Sequence, residues 1–191
     1  MSKAKPARER ILSAASRLFQ KRGYTEIGIN EIISESGTAK ATFYSNFSSK
    51  EILGEVWLES IHEQSIGHHK KLLERGGNPR DILSKYFQEL EVFLEEGDYR
   101  GCPYTNTKAV IKCGEVLLDK QVCQHKASMR SFFKSVALAS GLSDKVAQSL
   151  GDKVFVIYSG ATTEAQNLKN MWPVEVAKST SLQLWDLAHS E

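Results

Sequence analysis

The run from Gly37 to Phe47, Gly-Thr-Ala-Lys-Ala-Thr-Phe-Tyr-Ser-Asn-Phe, constrains the fold of this chain more than any other stretch. Ahead of it, Ile29, Ile32 and Ile33 set an apolar stripe at helical spacing. Ser36-Gly37 stops that helix with a residue suited to a left-handed cap. Thr38 offers a hydroxyl to cap a second helix, in which Phe43 and Phe47 fall four apart on one face. Lys40, Thr42, Tyr44 and Asn46 are left for the other face. A helix of about seven residues does not hold by itself in water. Presenting a cation, hydroxyls and an amide to something outside gives it a reason to exist. Two short helices across a tight turn predict a helix-turn-helix, with the second helix in a DNA major groove.

Charge supports that reading once it is divided along the chain. Residues 1–52 hold nine Lys or Arg against five Glu, whereas the remainder holds 16 against 18 acids. Lys3, Lys5, Arg8, Arg10, Arg17, Lys21 and Arg22 all precede the helix pair. A basic end joined to a mildly acidic body is the pattern of a nucleic-acid-binding unit attached to something else. A solvated basic helix would explain the charge but not the neighbouring helix pair. No apolar run is long enough to span a bilayer, and the N-terminus lacks a signal-peptide core, so a cytoplasmic protein is expected. Cys102, Cys113 and Cys123 are an odd number at no metal-like spacing, which predicts reduced thiols.

Read in order, the chain predicts helices throughout and no strand. Residues 1–5 form a polar basic tail, and Pro6 suits the first turn of a helix carrying Ile11, Leu12, Ala15, Leu18 and Phe19 as far as Gly23. After the helix pair, Ser48 or Ser49 can cap a long helix over about 50–74, with Glu51 in its first turn. Arg75-Gly76-Gly77-Asn78-Pro79 is the strongest breaker. Amphipathic helices follow over Ile82–Leu94, from Pro103 to Lys112, from Val116 past Val136, from Ser143 to Leu168, and from Trp172-Pro173 to the C-terminus. The expected architecture is all-α. A three-helix helix-turn-helix domain at residues 1–52 is joined through the 50–74 helix to a larger helical domain at 53–191.

From Ile11 to about Val56 the chain resembles the tetracycline-repressor (TetR/AcrR) family of bacterial transcription regulators. The residues that carry this are Ala14-Ala15, Leu18-Phe19, Gly23-Tyr24, Ile29, Glu31-Ile32, Gly37, Lys40, Thr42, Tyr44, Phe47 and Lys50-Glu51, in one unbroken register. Ile27 departs from the family's usual Thr, Ile33 from a common Ala, Thr38-Ala39 from Val-Ser and Ala41 from a frequent Gly. Losing a Ser hydroxyl at Ala39 removes the usual cap, for which Thr38 can substitute one residue early. The resemblance implies that Lys40, Tyr44 and Lys50 contact phosphates, with packing as the other reading of Tyr44. Thr42 suits a base edge or a thymine methyl, and Asn46 suits either kind of contact.

The same resemblance implies a ligand-binding body and a homodimer formed by helices 143–168 and 173–189, where Ser159-Gly160-Ala161-Thr162-Thr163 allows close approach. It also implies a small effector that releases DNA through a population shift, making the protein a repressor. Candidate effector walls are Phe87, Phe93, Tyr104, Phe132, Phe133, Phe155 and Tyr158, each of which also reads as plain core. Some family members with a Gly-Cys at a comparable place sense electrophiles or oxidants. Cys102, in Arg100-Gly101-Cys102-Pro103, is therefore a candidate redox switch, set against a small packing residue beside a turn. His62 and His69 could share a helix face, but no metal site, cofactor or catalytic set is expected. The rival class is a helical small-molecule-binding protein without a DNA role.

Overall fold

The computed structural model describes residues 5–190, so most of the basic tail, Lys3 included, lies outside the described residues. The described residues form α-helices and no strand: α1 Ala7–Arg22, α2 Ile29–Ser36, α3 Lys40–Asn46, α4 Lys50–Glu74, α5 Pro79–Glu96, α6 Pro103–Val110, α7 Val116–Ala139, α8 Asp144–Leu168 and α9 Trp172–Ala188. The all-α expectation holds. The chain divides into two compact units. The first runs as far as Glu63 and includes Pro103–Gln124; the second holds Gln64–Cys102 and the chain from His125 onward. α6 and the start of α7 thus belong with the N-terminal helices, which a cut at residue 52 does not anticipate.

In the first unit, Ile11, Ala14, Ala15 and Phe19 bury one face of α1, and Gly23 at φ 96° ends it. Phe19 then stands between Tyr24 and Trp57, with ring centroids 5.3 Å and 5.0 Å away. Ile27, Ile32, Phe43 and Phe47 are buried with them, as are Leu53 and Leu58 of α4. Ser49 starts α4, its Oγ accepting from the Ile52 amide at 3.1 Å, as the sequence suggests. Tyr104 of α6 is also part of this core, donating its hydroxyl to the Leu58 carbonyl at 2.7 Å.

The second unit is built around aromatic side chains. Tyr86 of α5 meets Phe132 and Phe133 of α7, each at 5.2 Å between centroids, and Tyr158 of α8 at 5.8 Å. His69 stacks on Phe132 at 4.1 Å, which places that histidine in the core. α7 and α8 approach closely because Gly151 has no side chain: a Cβ there would stand 2.7 Å from the Lys134 backbone nitrogen. α5 and α9 are tied by Arg80, which grips the Asp186 carboxylate through Nε and Nη2 at 2.7 and 2.8 Å.

Candidate nucleic-acid interface

The short α3 is held by its neighbours on one side only. Phe43 is fully buried, while Tyr44, next in sequence, is 45 % exposed. Lys40 is exposed; Thr42 and Asn46 are half-buried on the same helix. The turn before α3 is fixed in three ways. Gly37 adopts the left-handed conformation at φ 59°, and the Thr38 amide donates back to the Ile33 carbonyl at 3.2 Å. Arg10 of α1 donates Nη1 to the carbonyls of Ser36 and Gly37, both at 3.2 Å.

Thr38 does not cap α3. The N-cap position is Ala39, which supplies no side-chain bond, and the Thr38 hydroxyl instead pairs with Ser36 Oγ at 2.9 Å. Local hydroxyl partners of this kind compete with helix capping for a Thr side chain. The first turn of α3, which opens at Lys40, therefore has no side-chain cap from Ala39. Asn46 donates its amide to the Thr42 carbonyl at 2.8 Å, within its own helix. Lys50 opens α4, its Nζ 4.4 Å from the centroid of the Tyr24 ring and 3.4 Å from the Thr25 carbonyl. Burial lowers the Lys50 ammonium from its ordinary value, and Glu115 and Glu26 oppose that shift. Part of the basic stripe ahead of the helix pair is engaged internally: Arg17 pairs with Glu35, and Arg22 with Glu31. Arg8 lies over the Phe47 ring at 4.9 Å.

The effector candidates are less well grouped. Phe87, Phe132, Phe133 and Tyr158 are buried together in the second unit, with Phe155 partly buried against them. Phe93 corrects the expectation: it is 53 % exposed and walls no interior space, because the buried face of α5 is set by Leu90 and Leu94. Tyr104 belongs to the first unit and is occupied by its bond to Leu58. Cys102 is buried, with Lys126 Nζ 3.9 Å from its sulfur, whereas Cys113 and Cys123 are exposed. Among the described residues no three His, Cys, Asp or Glu side chains are grouped to hold a metal ion.

No sequence pattern points to Arg10 as the residue that fixes the turn, since its contacts are 26 and 27 residues away. Glu115 is equally hidden: it accepts from the Tyr24 hydroxyl across 91 residues.

A family model described as "Bacterial regulatory proteins, tetR family" matches residues 11–55, the stretch from α1 into α4. The transcriptional repressor NemR of Escherichia coli K12 is 28% identical over 188 residues, covering 89% of each chain. The transcriptional regulator LmrA of Bacillus subtilis is 28% identical over 173 residues, covering 88% of this chain and 90% of its own. Among solved structures, the reduced form of E. coli NemR superposes with a TM-score of 0.82 at 20% identity, covering 93% of this chain and 97% of that one. A tetR-type regulator from Streptomyces avermitilis gives 0.80 at 26% identity, covering 97% and 99%.

Proposed function

We propose that this chain, which matches the tetR family of bacterial regulatory proteins through residues 11–55, binds a palindromic operator as a homodimer and releases it when a small effector occupies the helical body. It is a DNA-binding transcriptional regulator and not an enzyme, as its named relatives are regulators. The observation that carries the proposal is α3: Phe43 is locked inside while Lys40 and Tyr44 stand out from a helix too short to exist for packing alone. In this reading Lys40, Tyr44 and Lys50 hold phosphates and Thr42 and Asn46 reach base edges. Thr38 acts from the turn, where it holds Ser36 rather than capping α3. Such a protein works in the cytoplasm, where its operator is.

The dimer uses α8 and α9. Val156, 67 % exposed, and Gly160, whose missing Cβ would meet nothing within 4 Å, lie one helical turn apart on the outer face of α8. Val176 and Leu187, 52 % and 58 % exposed, share a face of α9 three turns apart. Ala161 and Thr162, from the same small-residue run, are buried within the subunit. A two-fold copy would cover the outer residues and impose two-fold symmetry on the DNA site. The effector space is framed by Phe87, Phe132, Phe133, Phe155 and Tyr158.

The test is a DNA-shift titration of the purified protein on fragments from upstream of its own gene, at two salt concentrations. A discrete complex that outlasts competitor DNA and weakens steeply with salt is expected. No shift on this DNA or on any other duplex would return the protein to the class of small-molecule binders.

A second reading concerns release by thiol chemistry. One structural neighbour was solved in a reduced form, and here the Lys126 ammonium sits 3.9 Å from the buried Cys102 sulfur. Oxidant or alkylating agent is expected to release DNA from wild type and to leave Cys102→Ser bound. Equal release from both removes Cys102 from the mechanism.

A further inference from the structure

Glu115 stands immediately before α7 and closes the turn from α6. Its backbone amide donates to the Lys112 carbonyl at 3.2 Å, and its Oε2 accepts from the Lys112 amide at 2.7 Å. Those two bonds hold the carboxylate in place, and its Oε1 accepts from the Tyr24 hydroxyl at 3.2 Å. Lys50 occupies the face of that same ring. One tyrosine, between α1 and α2, thus carries a cation on its face and a carboxylate on its hydroxyl.

The surroundings leave this arrangement little freedom. Glu51, next to Lys50, accepts from the Leu117 amide at 3.3 Å, so an acid of α4 satisfies an unpaired N–H at the start of α7. Gly54 lets the two helices meet at Tyr24: a Cβ there would stand 2.7 Å from Tyr24 Cε2 and 3.0 Å from Leu118 Cδ2. Tyr24 is pushed well above its ordinary phenol range, by burial first and by Glu115 next. The hydroxyl therefore stays protonated and keeps donating to the carboxylate.

A fixed carboxylate beside a phosphate-binding lysine has a consequence for DNA. It attracts the ammonium that a phosphate must engage, and it repels the phosphate itself. Both effects are screened by salt, over a Debye length of about 10 Å at 0.1 M. We propose that Glu115 is an internal acid that competes with DNA phosphate for Lys50, so that the turn between α6 and α7 holds operator affinity below what the N-terminal cations would otherwise give. This rests on the DNA-binding reading of Lys50 given above. It differs from a purely structural role, because removing the charge strengthens DNA binding instead of weakening it.

The test compares full-length wild type, Glu115→Gln, Lys50→Ala and the double variant on a generic duplex and on the operator, over a salt series. Glu115→Gln is expected to bind about three- to tenfold more tightly at low salt, with the gain shrinking as salt rises. Lys50→Ala is expected to bind more weakly, and adding Glu115→Gln to it should give a clearly smaller gain, from relieved phosphate repulsion alone. Glu115→Asp, which keeps the charge, should stay within about twofold of wild type. Glu115→Ala serves the same comparison if the Gln variant melts early. Equal or weaker binding by a folded, uncharged variant overturns the inference, as does a gain of the same size without Lys50. Wild type that binds no duplex even at low salt would overturn the DNA reading itself, a result distinct from unchanged affinity in the variant.

Discussion

Phe43 and Tyr44 are neighbours in sequence whose rings meet edge to face at 5.3 Å, yet one serves the fold and the other the surface. Phe43 is fully buried, and truncating such a residue costs about 3–5 kcal/mol. Phe43→Ala is therefore expected to lower the unfolding midpoint in denaturant, with loss of DNA binding following from loss of fold. Tyr44→Ala should leave that midpoint within about 0.5 kcal/mol of wild type, as exposed positions do, while weakening DNA binding at every sequence. Lys40→Ala should behave likewise and reduce the salt slope by about one. Tight binding by both variants at moderate salt would contradict their assignment as phosphate contacts. The spacing of Phe43 and Phe47 shows which face of α3 is buried, and so which face is open. Thr38 was harder to read, because the choice between capping α3 and bonding Ser36 depends on a turn geometry that spacing does not encode.

At the scale of elements, helices are legible wherever an apolar stripe meets a strong stop, as at Gly23, Gly37 and Pro79. Faces are legible only where the stripe is narrow. On α5, Phe93 sits beside Leu94 at the edge of a wide stripe, and packing buries Leu94 while leaving Phe93 exposed. Small residues on α8 are similarly ambiguous, since Gly160 faces outward and Ala161 inward. The outward set carries the dimer proposal. Val156→Glu combined with Val176→Glu places charges on both helices of the proposed interface, where burying an unpaired carboxylate costs several kcal/mol. Sedimentation should show the double variant as a monomer that keeps wild-type helicity. A variant that remains dimeric would place the interface elsewhere.

Across the whole molecule, helix content follows from local periodicity, but the division into units does not. Pro103–Gln124 joins the N-terminal helices through Tyr104, Glu115 and Leu118, each of which meets residues more than 40 positions away. Contacts of that range leave no trace in local spacing. The proposed DNA-binding surface is legible as a pattern because its residues lie within one short run; the acid proposed to oppose it lies far along the chain. Selection from a pool of random duplexes with the purified protein tests whether this chain reads a palindromic DNA site. Enrichment of a two-fold symmetric sequence is expected, bound more weakly at every step of added salt. A selected pool with no sequence preference over the starting pool would contradict it.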